Sequence, residues 1–294
     1  MTSTKKSIIV TGGASGIGLG ITRSLASETS HISILDINAA AGEQTLATLQ
    51  NEFPEASFSF HQCDVSSWES QAAAFEEVYH AQGRIDHVFA NAGITEKGKL
   101  IVKDEEKPSK PELVTLNVNL VGVIYSVKLA IHYILKNPPS PTTTTTALPS
   151  RGSIICTASN AGLYPFPIAP IYATSKHAVI GLVRSLARPL AQEHIQINAL
   201  APAVIETNIS TDKSLFKSMV ITPMSTATKA VATLLGDANL TGKIAELHEE
   251  HVTFAEPPPY VDENTGRNIE MFWELGSQPL FLQYYSVKLT ITKK

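Results

Sequence analysis

Tyr172 and Lys176 stand four residues apart in the run Tyr172-Ala173-Thr174-Ser175-Lys176, and Ser159 stands thirteen residues before the tyrosine. On a helix, a spacing of four puts phenol and ammonium on one face. The cation there should favour phenolate and pull the tyrosine pKa down from its usual value of about 10. A phenolate takes a proton from a hydroxyl, and a phenol gives one to a developing alkoxide, so the pair suits alcohol and carbonyl chemistry in either direction. The pattern is weak by itself, since eight tyrosines and seventeen lysines predict roughly half a match by chance. Tyr284 and Lys288 repeat it in the C-terminal tail, with no strand before them and no serine at the same offset.

A second cluster points to a dinucleotide. Thr11-Gly12-Gly13-Ala14-Ser15-Gly16-Ile17-Gly18 joins an apolar run to a helix-like one, where backbone N–H groups and a helix N-terminus can face a pyrophosphate. Its glycines at 12, 16 and 18 suit a tight turn, close phosphate approach and helix packing. Ser15 and Ile17 lie inside that turn. Asp36 follows Gly18 by eighteen residues, at the end of the next apolar run, where a carboxylate can accept both ribose hydroxyls. That favours NAD over NADP: Ser15 and Ile37 are neutral, and Asp36 would repel a 2′-phosphate. Asp64-Val65 could contact the adenine edge, although an Asp after a strand is often a helix cap.

These residues need elements to hold them. Short β-branched runs alternate with longer helical stretches, the pattern of repeated βα units around a parallel sheet. Strands are predicted over 7–11, 31–36, 58–63, 87–90, 152–157 and 196–199, with a seventh near 242–247. Helices are predicted over 16–28, 39–51, 67–81 and 171–193, with Ser67 and Ser70 marking a start. The fold class is α/β: a doubly wound parallel sheet of Rossmann type, about seven strands with helices on both faces, in a single domain spanning 1–294. Residues 137–150, with prolines and five consecutive threonines, read as an inserted mobile surface loop. Pro257-Pro258-Pro259 is expected to stop regular structure, so that a C-terminal extension begins near 256. Residues 281–291 read as an edge strand or an arm on a second subunit.

Composition excludes some functions. A net charge of −4 with 17% charged residues leaves no basic footprint for nucleic acid or an anionic membrane. The apolar stretch 113–135 is interrupted by Asn117, Asn119, Lys128 and His132, which favours a buried helix over a bilayer span. Cys63 and Cys156 sit in apolar runs as buried thiols, and the polar N-terminus lacks a signal peptide, so a cytoplasmic protein is expected. His248-Glu249-Glu250-His251 lacks the His-Glu-x-x-His spacing of a zinc site, and no metal is expected.

The glycine turn, Asn91-Ala92-Gly93 after the fourth strand and the 172–176 run, in this order and spacing, resemble the short-chain dehydrogenase/reductase family over roughly residues 5 to 250. The texture is similar to the NAD-preferring branch that includes 15-hydroxyprostaglandin dehydrogenase and fungal relatives. The resemblance implies Tyr172 as acid/base, Lys176 as its activator, Ser159 as partner of the reacting oxygen and Asn119, in Asn119-Leu120-Val121-Gly122, as anchor of a proton-relay water. It implies a strand-stabilising role for Asn91 and cofactor contacts for Ile205 and Thr207, the latter to the carboxamide. Where the family has Pro-Gly this chain has Pro202-Ala203, placing a methyl group beside the nicotinamide. Residues 207–224 are expected to form a flexible lid, and the apolar cluster Leu163, Tyr164, Phe166 and Ile168 to face substrate, to pack internally or to make a dimer contact. The expected activity is NAD-dependent oxidation of a small, apolar secondary alcohol to a ketone. The alternatives are an NAD(P)H-dependent carbonyl reductase and a non-catalytic NAD-binding regulator. The expected assembly is a homodimer or homotetramer through the helices that start near 113 and 171.

Overall fold

The computed structural model describes residues 5–104, 106–140, 148–207 and 213–276. Eight strands form one sheet in the order β3-β2-β1-β4-β5-β6-β7-β8. They are β1 (Lys6–Thr11), β2 (Ser30–Asp36), β3 (Ser57–Gln62), β4 (His87–Ala90), β5 (Gly152–Thr157), β6 (Ile195–Pro202), β7 (Ile244–His248) and β8 (His251–Phe254). β1 to β7 pair in parallel, and β8 returns antiparallel beside β7. The chain builds outward from β1 to β3, then crosses to β4 on the other side of β1. The carboxyl ends of β1 and β4 therefore flank a topological switch point, where open α/β sheets leave a crevice for ligands.

The helices are α1 (Gly16–Leu25), α2 (Ala39–Glu52), α3 (Trp68–Gln82), α4 (Val114–Leu116), α5 (Gly122–Ile134), α6 (Pro170–Gln192), α7 (Met224–Gly236) and α8 (Glu263–Gly276), with a π-helical turn, Asn117–Val121, between α4 and α5. Strands buried on both faces need apolar residues at successive positions. Accordingly Ile9 faces a core layer with α3, α5 and α6, while Ile8 and Val10 face the other with α1, α2 and α7. Ser67 caps α3 by accepting from the Ser70 amide at 3.1 Å, and Gly83 ends it with a φ of 71°. Val114–Ile134 is long and apolar enough to cross a membrane by length and composition, but Val123, Val127, Ala130 and Ile134 pack into the core.

Several expectations are corrected. The roughly seven strands expected are joined by one more among the described residues, because Glu249 adopts a left-handed φ of 49° and turns the chain into β8, making His248 and His251 paired strand residues. Regular structure resumes after the prolines: α8 is held by Arg188, which pairs with Glu270 at 2.6 Å and stacks over Trp273 at 4.8 Å. The run 141–147, residues 208–212 of the expected lid and the segment 281–291 lie outside the described residues. The insertion's ends are fastened, since Ser140 and Ser150 bridge and buried Asn137 donates to the carbonyls of Ile85 and Arg151 at 2.7 and 3.0 Å.

Candidate active site

A cavity of about 480 Å³ opens at the switch point. At one end lie Gly12, Ser15, Gly16, Ile17, Asp36, Asp64 and Val65; at the other lie Ser159, Tyr172 and Lys176; Asn91, Ile205 and Thr207 line it as well. The sequence separates these groups by up to 195 positions, and the sheet brings them to one edge.

The glycine turn is shaped for close approach. Gly12 and Gly16 have φ values of 64° and 53°, the left-handed region that favours glycine. Gly18 lies behind the wall, where an added Cβ would stand 2.2 Å from the Gly12 carbonyl oxygen. Its part is helix packing, leaving ligand contact to Gly12 and Gly16. Ser15 makes no side-chain cap on α1, which leaves first-turn N–H groups for an anion. Asp36 accepts from the amides of Ala14 and Asn38 at 3.2 and 3.1 Å, which fixes its carboxylate at the cavity wall. Asp64 caps its own turn, accepting from the Ser66 amide and hydroxyl, and also lines the cavity.

Asn91 ties three strands together: its amide donates to the Thr11 carbonyl at 3.1 Å and its oxygen accepts from Thr157 at 2.9 Å. Asn119 is fully buried and does not line the cavity. Its oxygen accepts from the Ile94 amide at 2.8 Å, and its nitrogen donates to the Ile94 carbonyl at 2.9 Å and to Ser175 Oγ at 3.3 Å. It thereby fastens the segment after β4 to α6.

At the inner end, α6 carries Tyr172 and Lys176 one turn apart, with the ammonium 5.6 Å from the phenol ring centroid. Lys176 Nζ donates to the Thr157 carbonyl at 2.8 Å. Burial pulls the lysine down to about 8. Tyr172 departs from expectation: burial raises its pKa, and a hydrogen bond with Ser159 opposes that rise. A buried phenolate loses hydration, and the neighbouring ammonium is itself disfavoured by burial. Ser159 also caps the short turn after β5, accepting from the Ala161 amide at 3.2 Å.

Of the expected substrate residues, Tyr164, Phe166 and Ile168 are exposed, and Leu163 packs against the core. Leu163, Tyr164, Phe166 and Ile168 do not line the cavity; Ile168 is 79% exposed, and only the Phe166 ring approaches Tyr172, at 6.2 Å. The wall near Tyr172 is instead formed by Ile94, Thr95, Lys97 and Val118. Sequence reasoning missed these, although their position just after Asn91-Ala92-Gly93 and beside Asn119 carried the signal. Pro202 and Ala203 also line the cavity. Cys63 and Cys156 are free and buried, and no cluster of metal ligands occurs among the described residues.

This arrangement of crevice, glycine turn and Ser–Tyr–Lys group agrees with the comparisons. A family model for short chain dehydrogenases matches residues 6–217. Short-chain dehydrogenase/reductase prx6 of Penicillium rubens is 29% identical over 91% of this chain and 87% of its own length. Human 15-hydroxyprostaglandin dehydrogenase [NAD(+)] is 32% identical over 69% of this chain and 70% of its own. An NADP-dependent dehydrogenase, clz5 of Cochliobolus lunatus, is 34% identical over 71% and 74%. The crystal structure of gox2181 superposes with a TM-score of 0.70 at 26% identity, covering 82% of this chain and 93% of that one. The chain belongs to the short-chain dehydrogenase/reductase family, whose members are NAD(P)-dependent oxidoreductases acting on small molecules.

Proposed function

We propose that this protein is an NAD-preferring dehydrogenase that oxidises a small, largely apolar secondary alcohol to a ketone. The observation that carries the reading is one cavity with Asp36 at one end and Tyr172, Ser159 and Lys176 at the other. The glycine turn and its close backbone contacts fit a dinucleotide, and a carboxylate at Asp36 fits free ribose hydroxyls better than a 2′-phosphate. The nicotinamide, when bound, supplies the hydride acceptor for oxidation or the donor for reduction.

The protein's own groups handle the proton. Ser159 and the Tyr172 hydroxyl hold the substrate oxygen between them, and Tyr172, as phenolate, takes its proton. Lys176, anchored on Thr157, supplies positive charge behind the phenol. Ile94 and Val118 offer apolar walls for the rest of the substrate. The same site run in reverse makes a carbonyl reductase. Exposed Leu113, Val114 and Ile124 support assembly with a second copy, which sedimentation at micromolar concentration would test.

The test is NADH formation by wild type and Tyr172→Phe, with NAD and NADP compared across apolar secondary alcohols and the matching ketones. NAD-dependent turnover that disappears in the variant is expected. Equal turnover by Tyr172→Phe, or NAD binding without turnover in either direction, would overturn the reading.

A further inference from the structure

Tyr172 is held by its backbone as well as presented by its side chain, and one of the holding groups is a carboxylate outside every recognised motif. α6 begins at Pro170 behind Ala169, an N-cap residue with no side-chain acceptor. Tyr172 is the third residue of the helix, and its N–H is one of those that a helix start leaves without an internal partner. Glu96 fills that place: its Oε2 accepts from the Tyr172 amide at 2.9 Å. An anionic acceptor at a helix N-terminus is favourable both as a charged hydrogen bond and against the helix dipole.

Glu96 is itself well fixed. Two residues earlier, Ile94 is bonded through both backbone groups to Asn119. One residue later, the Lys97 amide donates to fully buried Thr115 at 3.0 Å. The opposite backbone group of Tyr172 is tied from the same side, because its carbonyl accepts from Ser175 Oγ at 2.6 Å and Ser175 accepts from Asn119. Tyr172 is thus held at its N–H by Glu96 of the segment that follows β4 and at its C=O by Ser175 of its own helix, which Asn119 ties to that segment.

We infer that Glu96 is a positioning residue for Tyr172, substituting for the missing N-cap side chain and setting where the phenol stands relative to Ser159. The inference rests on the proposed role of Tyr172. It makes accurate placement of the phenol depend on the same segment that walls the substrate end of the cavity.

Glu96→Ala and Glu96→Gln test it, since the glutamine carbonyl can accept the same hydrogen bond without the charge. A small misplacement of a reacting group can cost about 100-fold in rate, so Glu96→Ala should lower kcat by about tenfold or more per NAD-binding site. NAD affinity should be unchanged, and Glu96→Gln should restore most of kcat. Independently of any substrate, hydrogen exchange of the Tyr172 amide should speed up in the alanine variant and stay protected in the glutamine variant. A purely structural role would lower thermal stability without changing kcat per folded site. Wild-type kcat and unchanged Tyr172 exchange in Glu96→Ala would overturn the inference, as would a glutamine variant as impaired as alanine. If wild type oxidises no alcohol, the proposed function fails, and the amide exchange still decides whether Glu96 holds the Tyr172 backbone.

Discussion

Lys176 hangs its ammonium on the carbonyl of Thr157, 2.8 Å away at the end of β5, and passes the Tyr172 ring at 5.6 Å from its centroid. The charge is placed by the sheet, independently of the tyrosine.

That placement has a measurable cost. Burial lowers Lys176 from 10.5 to about 8, so between these values the unfolded chain holds a proton the folded chain has released. Stability contributed here therefore rises with pH through that window. Relative to Lys176→Met, wild type should regain about 2 kcal/mol between pH 7 and pH 9.5. Urea unfolding at both pH values checks this, and a pH-independent difference would contradict it. The methionine variant should also lose turnover.

Ser159 opposes the rise that burial imposes on Tyr172. Ser159→Ala should raise the phenol pKa further. If Tyr172 is the base of the proposed alcohol oxidation, the rise of kcat/KM with pH should move to higher pH, and activity near pH 7 should fall. An unshifted profile would mean that the serine acts only as a cap for the turn after β5.

For Asp36→Ala, kcat/KM with NAD should drop about tenfold or more, from loss of charged hydrogen bonds to ribose, while NADP improves. Steady-state kinetics with both cofactors measure the ratio. The thermal midpoint needs to be followed in parallel, because Asp36 also accepts from the Ala14 and Asn38 amides. Wild-type preference for NADP would refute the assignment.

Gln71 is fully buried, donating to the carbonyls of Val65 and Gly122 at 2.7 and 2.8 Å and accepting from Ser126 at 2.7 Å. Gln71→Leu keeps the volume but deprives Val65 of a donor, and should cost about 2–4 kcal/mol in urea unfolding. Since Val65 lines the cavity, NAD affinity should weaken as well. A loss below 1 kcal/mol would show that these carbonyls find other partners.

Local chemistry made the glycine turn, Asp36 and the 172–176 run legible in the sequence, because each is a short pattern whose spacing is itself the geometry. The parallel strands were legible because burial on both faces leaves continuous apolar runs such as Ile154-Ile155-Cys156. β8 was hidden, being four residues long with a turn at Glu249 that carries no glycine. α8 was hidden because none of its residues is buried and its docking depends on Arg188, some eighty positions away. Glu96 and Lys97 belong to a loop that only the crossing from β3 to β4 brings beside α6. The Tyr172 pKa was misjudged for a related reason: pairing with Lys176 is visible in spacing, whereas desolvation depends on the whole fold.

The π-helical turn at Asn117–Val121 bears on how such a site could arise. A π turn holds one residue more than the α-helical turn it interrupts, and it weakens the local hydrogen bonding of an otherwise regular helix. Here the surplus residue falls beside buried Asn119, where it lets the side chain reach Ile94. Ancestry by single-residue insertion would be the shortest route to this shape, and reversal by deletion would straighten the helix while releasing the loop. The irregularity therefore gives up regular helix geometry at the one place where Asn119 fastens the segment after β4 to α6.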